Sequence, residues 1–183
     1  MKIFAETDRL ILREILPQDE NGLYLLDSDS EVHKYLGNNP INSVDESRNT
    51  IDLIRQQYIS NGIGRWAVIK KDNNEFIGWS GFKLITEITN NHINYYDLGY
   101  RFIKEHWGNG YAIEAANASL NYAFSHLNLH EVFAIADVRN LGSRKVLEKA
   151  GFKIKDTFIY QGQQHFWFNI LQDEWVKKLN MKL

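Results

Sequence analysis

The sequence predicts a mixed α/β fold built on a mostly antiparallel sheet, and three observations carry that expectation. Apolar spacing changes from a helical period to a period of two near residue 64, and returns to a helical period near residue 110. The runs of period two are joined by Asn-rich turns, which bring neighbouring strands together antiparallel. A glycine-bearing loop then leads from the last of these runs into a helix. The resulting order is strand, helices, three strands, helix, strand, helix, two strands, which is a layered arrangement and not a regular βαβ alternation.

Residues 9–14, RLILRE, alternate charged and apolar side chains ahead of Pro17, where a helix can begin because its first turn does not use the N–H that proline lacks. Through 18–36, Leu23, Leu26, Val32, Tyr35 and Leu36 recur at helical intervals, broken by capping residues at 27–30, so two short helices are expected. A third helix at 44–59 sets Val44, Thr50, Ile51, Ile54, Tyr58 and Ile59 on one side. Ser43 and Glu46 form its capping box, and Asn61-Gly62 closes it. Strands follow at 64–71, 75–86 and 93–103, with turns at Asp72-Asn73-Asn74 and Thr89-Asn90-Asn91. A helix at 110–127 carries Ile113, Ala116, Leu120, Ala123, Phe124 and Leu127. A strand at 131–138, a helix from Asn140 to Ala150-Gly151, and aromatic strands at 152–160 and 164–171 complete about seven strands and four to five helices.

Composition narrows the function classes. The 183 residues are 44% hydrophobic and 24% charged, which suits one domain spanning 1–183 around one core. Lys and Arg total 21 against 23 Asp and Glu, so no broad basic field attracts nucleic acid. No apolar run approaches membrane-spanning length and the start lacks a signal-peptide pattern, so a cytoplasmic protein with no membrane partner is expected. The absence of cysteine removes disulfides, thiolate metal sites and a cysteine nucleophile. His126 and His130 have the spacing of paired helical ligands, but no zincin glutamate follows and the helix should end between them, so no metal is expected.

Trp107-Gly108-Asn109-Gly110-Tyr111-Ala112 joins a strand to a helix. Two glycines let successive amides converge on an anion, and the helix start adds positive potential. A dinucleotide fingerprint would need a small residue where Ile113 stands, and no Lys-Ser/Thr pair follows to make a P-loop. Taken alone, the loop serves equally as an anion cradle or a tight turn.

About thirty residues later comes Asn140-Leu141-Gly142-Ser143-Arg144-Lys145, running on to Ala150-Gly151-Phe152. The glycine loop and this segment together resemble the GNAT superfamily of acyl-CoA-dependent N-acetyltransferases. Thr7-Asp8-Arg9-Leu10-Ile11-Leu12-Arg13, Asp97-Leu98-Gly99-Tyr100 and Asp173-Glu174-Trp175 are similar to the branch containing ribosomal-protein N-terminal acetyltransferases. The resemblance covers nearly the whole chain. It implies a sheet splayed between its fourth and fifth strands, with the pantetheine arm of acetyl-CoA in the gap and a homodimer formed through the late strands. It also implies that the amides from Gly108 through Asn109, Gly110 and Tyr111 to Ala112 hold the pyrophosphate, with Trp107 where the family places Arg or Gln. Backbone groups near Phe102 would bond the pantetheine, and Asn140 would lie against the cofactor.

Amide formation from a thioester requires a neutral amine, a polarised carbonyl and a stabilised leaving sulfur. Asp97 matches the acidic residue that precedes the Gly-Tyr step in similar enzymes, which makes it the candidate base; a solvated strand residue or an anchor for a neighbouring helix is the plainer alternative. Ser143 is the candidate proton donor to the sulfur, although Asn140 and Ser143 equally make an N-cap pair. His165 is expected on the hairpin surface, the alternative being that it lines the acceptor entrance. Asp19, Glu20, Asp27, Asp29 and Glu31 of the early helices either attract a cationic amine or form a solvated face. The expected acceptor is the N-terminal amine of a protein or peptide, the alternatives being a polyamine, aminoglycoside or amino acid, or a catalytically silent CoA sensor.

Overall fold

The computed structural model describes residues 1–181. One sheet of eight strands runs in the order β1-β2-β3-β4-β5-β6-β8-β7. Its first half comprises β1 (Ile3–Glu6), β2 (Leu10–Glu14), β3 (Arg65–Lys70), β4 (Phe76–Ile85) and β5 (Tyr95–Phe102), all paired antiparallel. The second half is β6 (Glu131–Asp137), β7 (Lys153–Tyr160) and β8 (Gln163–Leu171), also antiparallel. The β5–β6 junction is parallel and has a single registered pair, Asp97 with Phe133. Beyond that pair the strands diverge, so the expected splay lies here; the early β1 only shifts its strand count by one.

Alternation along β3 explains the layering. Trp66 and Val68 point into one core, whereas Ala67 and Ile69 point into the other, and all four are buried. The first core is covered by α4 (Tyr111–Ser125), α5 (Leu141–Ala150) and Trp175 of α6 (Gln172–Asn180). The second is covered by α1 (Glu20–Asp27), α2 (Ser30–His33) and α3 (Val44–Asn61). The α3 start keeps one half of the expected capping box: Ser43 Oγ accepts from the Glu46 amide at 3.4 Å, whereas the Glu46 carboxylate accepts from the Asn42 amide at 3.0 Å, one residue before the cap. Its end is Gly62 at φ 69°. In the turn after β4, Asn90 and Asn91 at φ 45° and 61° give the hairpin its twist-matched conformation.

Two elements lie outside the sequence expectation. β1 is only four residues long, and its one buried side chain, Phe4, stacks on Trp66 with centroids 4.6 Å apart. A strand this short offers too little alternation to read. α6 starts directly after β8 with no breaker between them, because Glu174 accepts from the Leu171 amide at 3.1 Å and Trp175 is buried beside Phe124. Among the described residues, no helix is long and apolar enough to cross a membrane.

Candidate active site

The divergence of β5 and β6 opens a cleft of about 1380 Å³. Pairing of Ile103 N–H with the Ile77 carbonyl fixes which β5 groups bond to β4, so the main-chain groups of Tyr100 and Phe102 turn toward the gap. Asp97 stands at the apex of the fork, in the last registered pair.

The glycine loop closes one end of the cleft. Gly108 and Gly110 have φ of 78° and 80°, a conformation that L side chains rarely adopt. The amides of residues 108–113 have no acceptor among the described residues, and they precede the first helical bonds of α4. Six unpaired donors at the start of a fifteen-residue helix fit a pyrophosphate. Arg9 fixes the loop from outside: Nη1 donates to the Asn109 carbonyl at 3.1 Å, Nε donates to Glu114 at 2.7 Å, and the guanidinium lies 4.6 Å from the centre of the Tyr111 ring. Trp107 faces inward with its donor. Its indole N–H donates to the Phe102 carbonyl at 2.7 Å, so this residue ties the loop to the strand end and offers no hydrogen bond to phosphate from its side chain. The same bond occupies one lone pair of the Phe102 carbonyl.

Across the gap, Asn140 Oδ1 accepts from the Ser143 amide at 3.0 Å, capping α5. Tyr100 Oη donates to the Ser143 carbonyl at 3.0 Å and lies 3.1 Å from Ser143 Oγ, bridging β5 to α5 over the split. Burial raises the Tyr100 phenol well above its ordinary pKa, with the Ser143 bond opposing it, so the phenol stays protonated. Asp97 Oδ2 accepts from Arg65 Nη2 at 2.7 Å, and the two side chains are 14% and 13% exposed. Burial pushes the Asp97 carboxyl upward, while the Arg65 guanidinium and Lys83 pull it down.

A family model described as an acetyltransferase (GNAT) domain matches residues 9–153. This chain belongs to the GNAT acetyltransferase family. It is 31% identical over 168 residues to the uncharacterized N-acetyltransferase YoaA of Bacillus subtilis, covering 90% of this chain and 93% of that protein. The structure of spermidine N-acetyltransferase from Vibrio cholerae in complex with CoA and spermine aligns at TM-score 0.74 and 26% identity, covering 93% of this chain and 99% of that one. A ribosomal-protein alanine acetyltransferase from Vibrio fischeri aligns at TM-score 0.73 and 20% identity, covering 93% and 97%, a likeness of fold. The protein is therefore an acetyl-CoA-dependent N-acetyltransferase, and the split sheet with its unpaired loop amides is the part of the acetyltransferase that suits the cofactor.

The cleft brings together Asp97, Phe102, Trp107, Gly108, Gly110, Tyr111, Ala112, Asn140 and Ser143. Asn109 is the exception: it does not line the cleft, and its side chain donates to the His106 and Trp107 carbonyls, both at 3.2 Å. His165 is a correction to the expected surface position. It is buried at 9% exposure, opposite Asp137 in register, and it lines the cleft.

The early acidic residues also behave differently from either expectation. Asp19 and Asp27 are buried and bound to arginines, Asp19 to Arg13 and Asp27 to Arg101. Glu20 pairs with Arg48, and Asp29 accepts from the Glu31 amide to cap α2. Only Glu31 of this group lines the cleft, near Lys34.

Arg65, Trp79, Arg101 and Arg139 reach the cleft from β3, β4, β5 and the β6–α5 turn, and sequence reasoning missed them. An arginine in an alternating strand carries no motif; the one available signal was Gly99 in mid-strand, which implies that something lies against its face.

Proposed function

We propose that this acetyltransferase moves the acetyl group of acetyl-CoA directly onto the N-terminal amine of a protein or peptide. The observation that carries the choice of acceptor is the charge of the acceptor wall. Asp97 and Asp137 are each matched by an arginine, Arg65 and Arg139; the wall's Arg101 is held by the buried Asp27, which does not itself line the cleft, and the exposed Glu31 shares its rim with Lys34. A polyamine places several cations in its site and calls for carboxylates in excess. A single α-amine beside neutral peptide groups does not. Ribosomal-protein and spermidine enzymes share this fold, so the fold itself does not choose between these acceptors.

In this reading the amine lone pair attacks the thioester carbonyl carbon, the C–N bond forms, and the C–S bond breaks. Asp97 accepts the proton from the nitrogen through Oδ1, to which no described residue bonds. An α-amine with a pKa near ~8 asks for only modest help from such a base. Ser143 Oγ–H protonates the departing sulfur and is replenished from solvent, so the proton lost by the amine is balanced by the one gained by the CoA thiol. The amides of residues 108–113 hold the pyrophosphate, and Trp107 keeps their loop seated on β5. The test is CoA release with acetyl-CoA across N-terminal peptides, polyamines, aminoglycosides and free amino acids. Turnover confined to peptides supports the proposal; turnover confined to polyamines or another small amine overturns the acceptor and leaves the family unchanged.

A further inference from the structure

Asp97 is held by one side chain that touches three strands. Arg65 Nη1 donates to the Asp97 carbonyl at 2.8 Å and to the Gly81 carbonyl at 2.5 Å, while Nη2 donates to Asp97 Oδ2 at 2.7 Å. The guanidinium therefore fastens both the backbone and the side chain of the residue at the apex of the fork. Its flat face lies 5.1 Å from the centre of the Trp79 ring, which limits lateral movement.

Room for this arrangement comes from a missing side chain. A Cβ at Gly99 would meet Arg65 Cζ and Nη2, both at 2.8 Å, closer than real side chains approach. No positive φ is recorded for Gly99, so glycine here answers the guanidinium pressed against the strand and not a backbone requirement. Gly99 and Arg65 form one device, separated by thirty-four positions in sequence but adjacent across β3, β4 and β5.

We propose that Arg65 is a positioning residue for acetyl transfer, anchoring Oδ2 of Asp97 so that Oδ1 is left for the amine, with Gly99 providing the space its guanidinium occupies. This inference rests on Asp97 being the base. A planar guanidinium bonded to two acceptors of one residue fixes orientation as well as charge, which a lysine ammonium does not reproduce. The other groups facing Asp97 are Lys83, its register partner on β4, Tyr95 on β5 and Phe133 on β6. Of these cations only Arg65 bonds to the carboxylate.

The experiment compares kcat/KM for the accepted amine from pH 6 to 9 in the wild type, Arg65→Gln, Arg65→Lys, Gly99→Ala and Asp97→Asn, with thermal melts alongside. Titration of the amine itself is common to all variants and cancels in the comparison. Arg65→Gln is expected to move the midpoint of the acidic limb about one unit toward higher pH, a tenfold change in the proton affinity of the carboxylate, so the ratio of activity at pH 9 to that at pH 6 rises over wild type. Gly99→Ala should move the limb in the same direction with every charge retained, and Arg65→Lys should restore part of the profile. A uniform loss across pH, or no loss, in both Arg65→Gln and Gly99→Ala overturns the proposal, the former marking a purely structural arginine. If Arg65→Gln does not fold, Gly99→Ala alone decides. Asp97→Asn separates the two readings: a wild-type rate and profile there defeats the base assignment itself, whereas a collapsed rate combined with unshifted Arg65 and Gly99 variants defeats only the positioning role.

Discussion

In the proposed cofactor half of the cleft, the groups facing the gap are main-chain amides of residues 108–113 and backbone atoms at Phe102; in the proposed acceptor half they are the arginine–carboxylate pairs at Asp97 and Asp137, with Arg101 held by the buried Asp27. Backbone amides do not depend on side-chain identity, so the donors of that half survive with Trp107 turned away to the Phe102 carbonyl. Charged pairs depend on every partner, because removing one ion leaves the other buried and uncompensated. The comparison teaches that cofactor binding should be robust to polar substitution and sensitive to backbone conformation, and that acceptor chemistry should show the reverse.

The sharpest attempt to break this contrast is Asp97→Asn. It should lower kcat/KM for the amine by about 100-fold or more while leaving the acetyl-CoA affinity measured by calorimetry near wild type. Equal losses in both would mean that the two sides are not separable. Gly110→Val attacks the other side: a β-branched residue at φ 80° costs roughly 1–2 kcal/mol, so acetyl-CoA affinity should fall by about tenfold while kcat at saturation changes little.

The bridge across the split sharpens the comparison further. Tyr100→Phe and Ser143→Ala should each lower kcat, and the double variant should lose less than their product, with a coupling of about 1 kcal/mol in a double-mutant cycle. Strict additivity in kcat would show that the 3.1 Å approach between these hydroxyls is only structural. A smaller effect is expected from Asn140→Ala, which removes the α5 cap and should cost about 1 kcal/mol of stability, read as a lower Tm.

The smallest effect concerns Asp137. Bonding to Arg139 holds its carboxyl below its ordinary value of 3.8, with burial opposing. A group depressed in the folded state contributes stability above its unfolded pKa and loses it as pH falls through the folded one. Melts at successive pH values should therefore show an acid-sensitive component below pH 3.8 that Arg139→Ala diminishes.

The glycine-loop half of the cleft was legible because its determinants are local. Gly108 and Gly110 ahead of an apolar helical repeat, and Asn140 three residues before Ser143, state their own geometry within a few positions. The inward turn of Trp107 was not legible, since nothing in its spacing says whether an indole N–H points to solvent or to the Phe102 carbonyl five residues earlier. His165 was misplaced for a related reason: alternation assigns it a face of β8, but whether that face is covered depends on β6 beside it and on the cleft it borders. Asp19 and Asp27 read as a solvated acidic face because their partners Arg13 and Arg101 lie elsewhere along the chain or on other elements.

The sequence by itself determined the order of elements, the turns, the capped helices and the glycine loop, because each follows from the periodicity and conformational preference of neighbouring residues. Only the tertiary structure decided the arginine–carboxylate wall of the cleft. Arg65 meets Asp97 and Gly99 across β3, β4 and β5 because strand register brings distant residues within hydrogen-bonding reach, and register is a property of the assembled sheet.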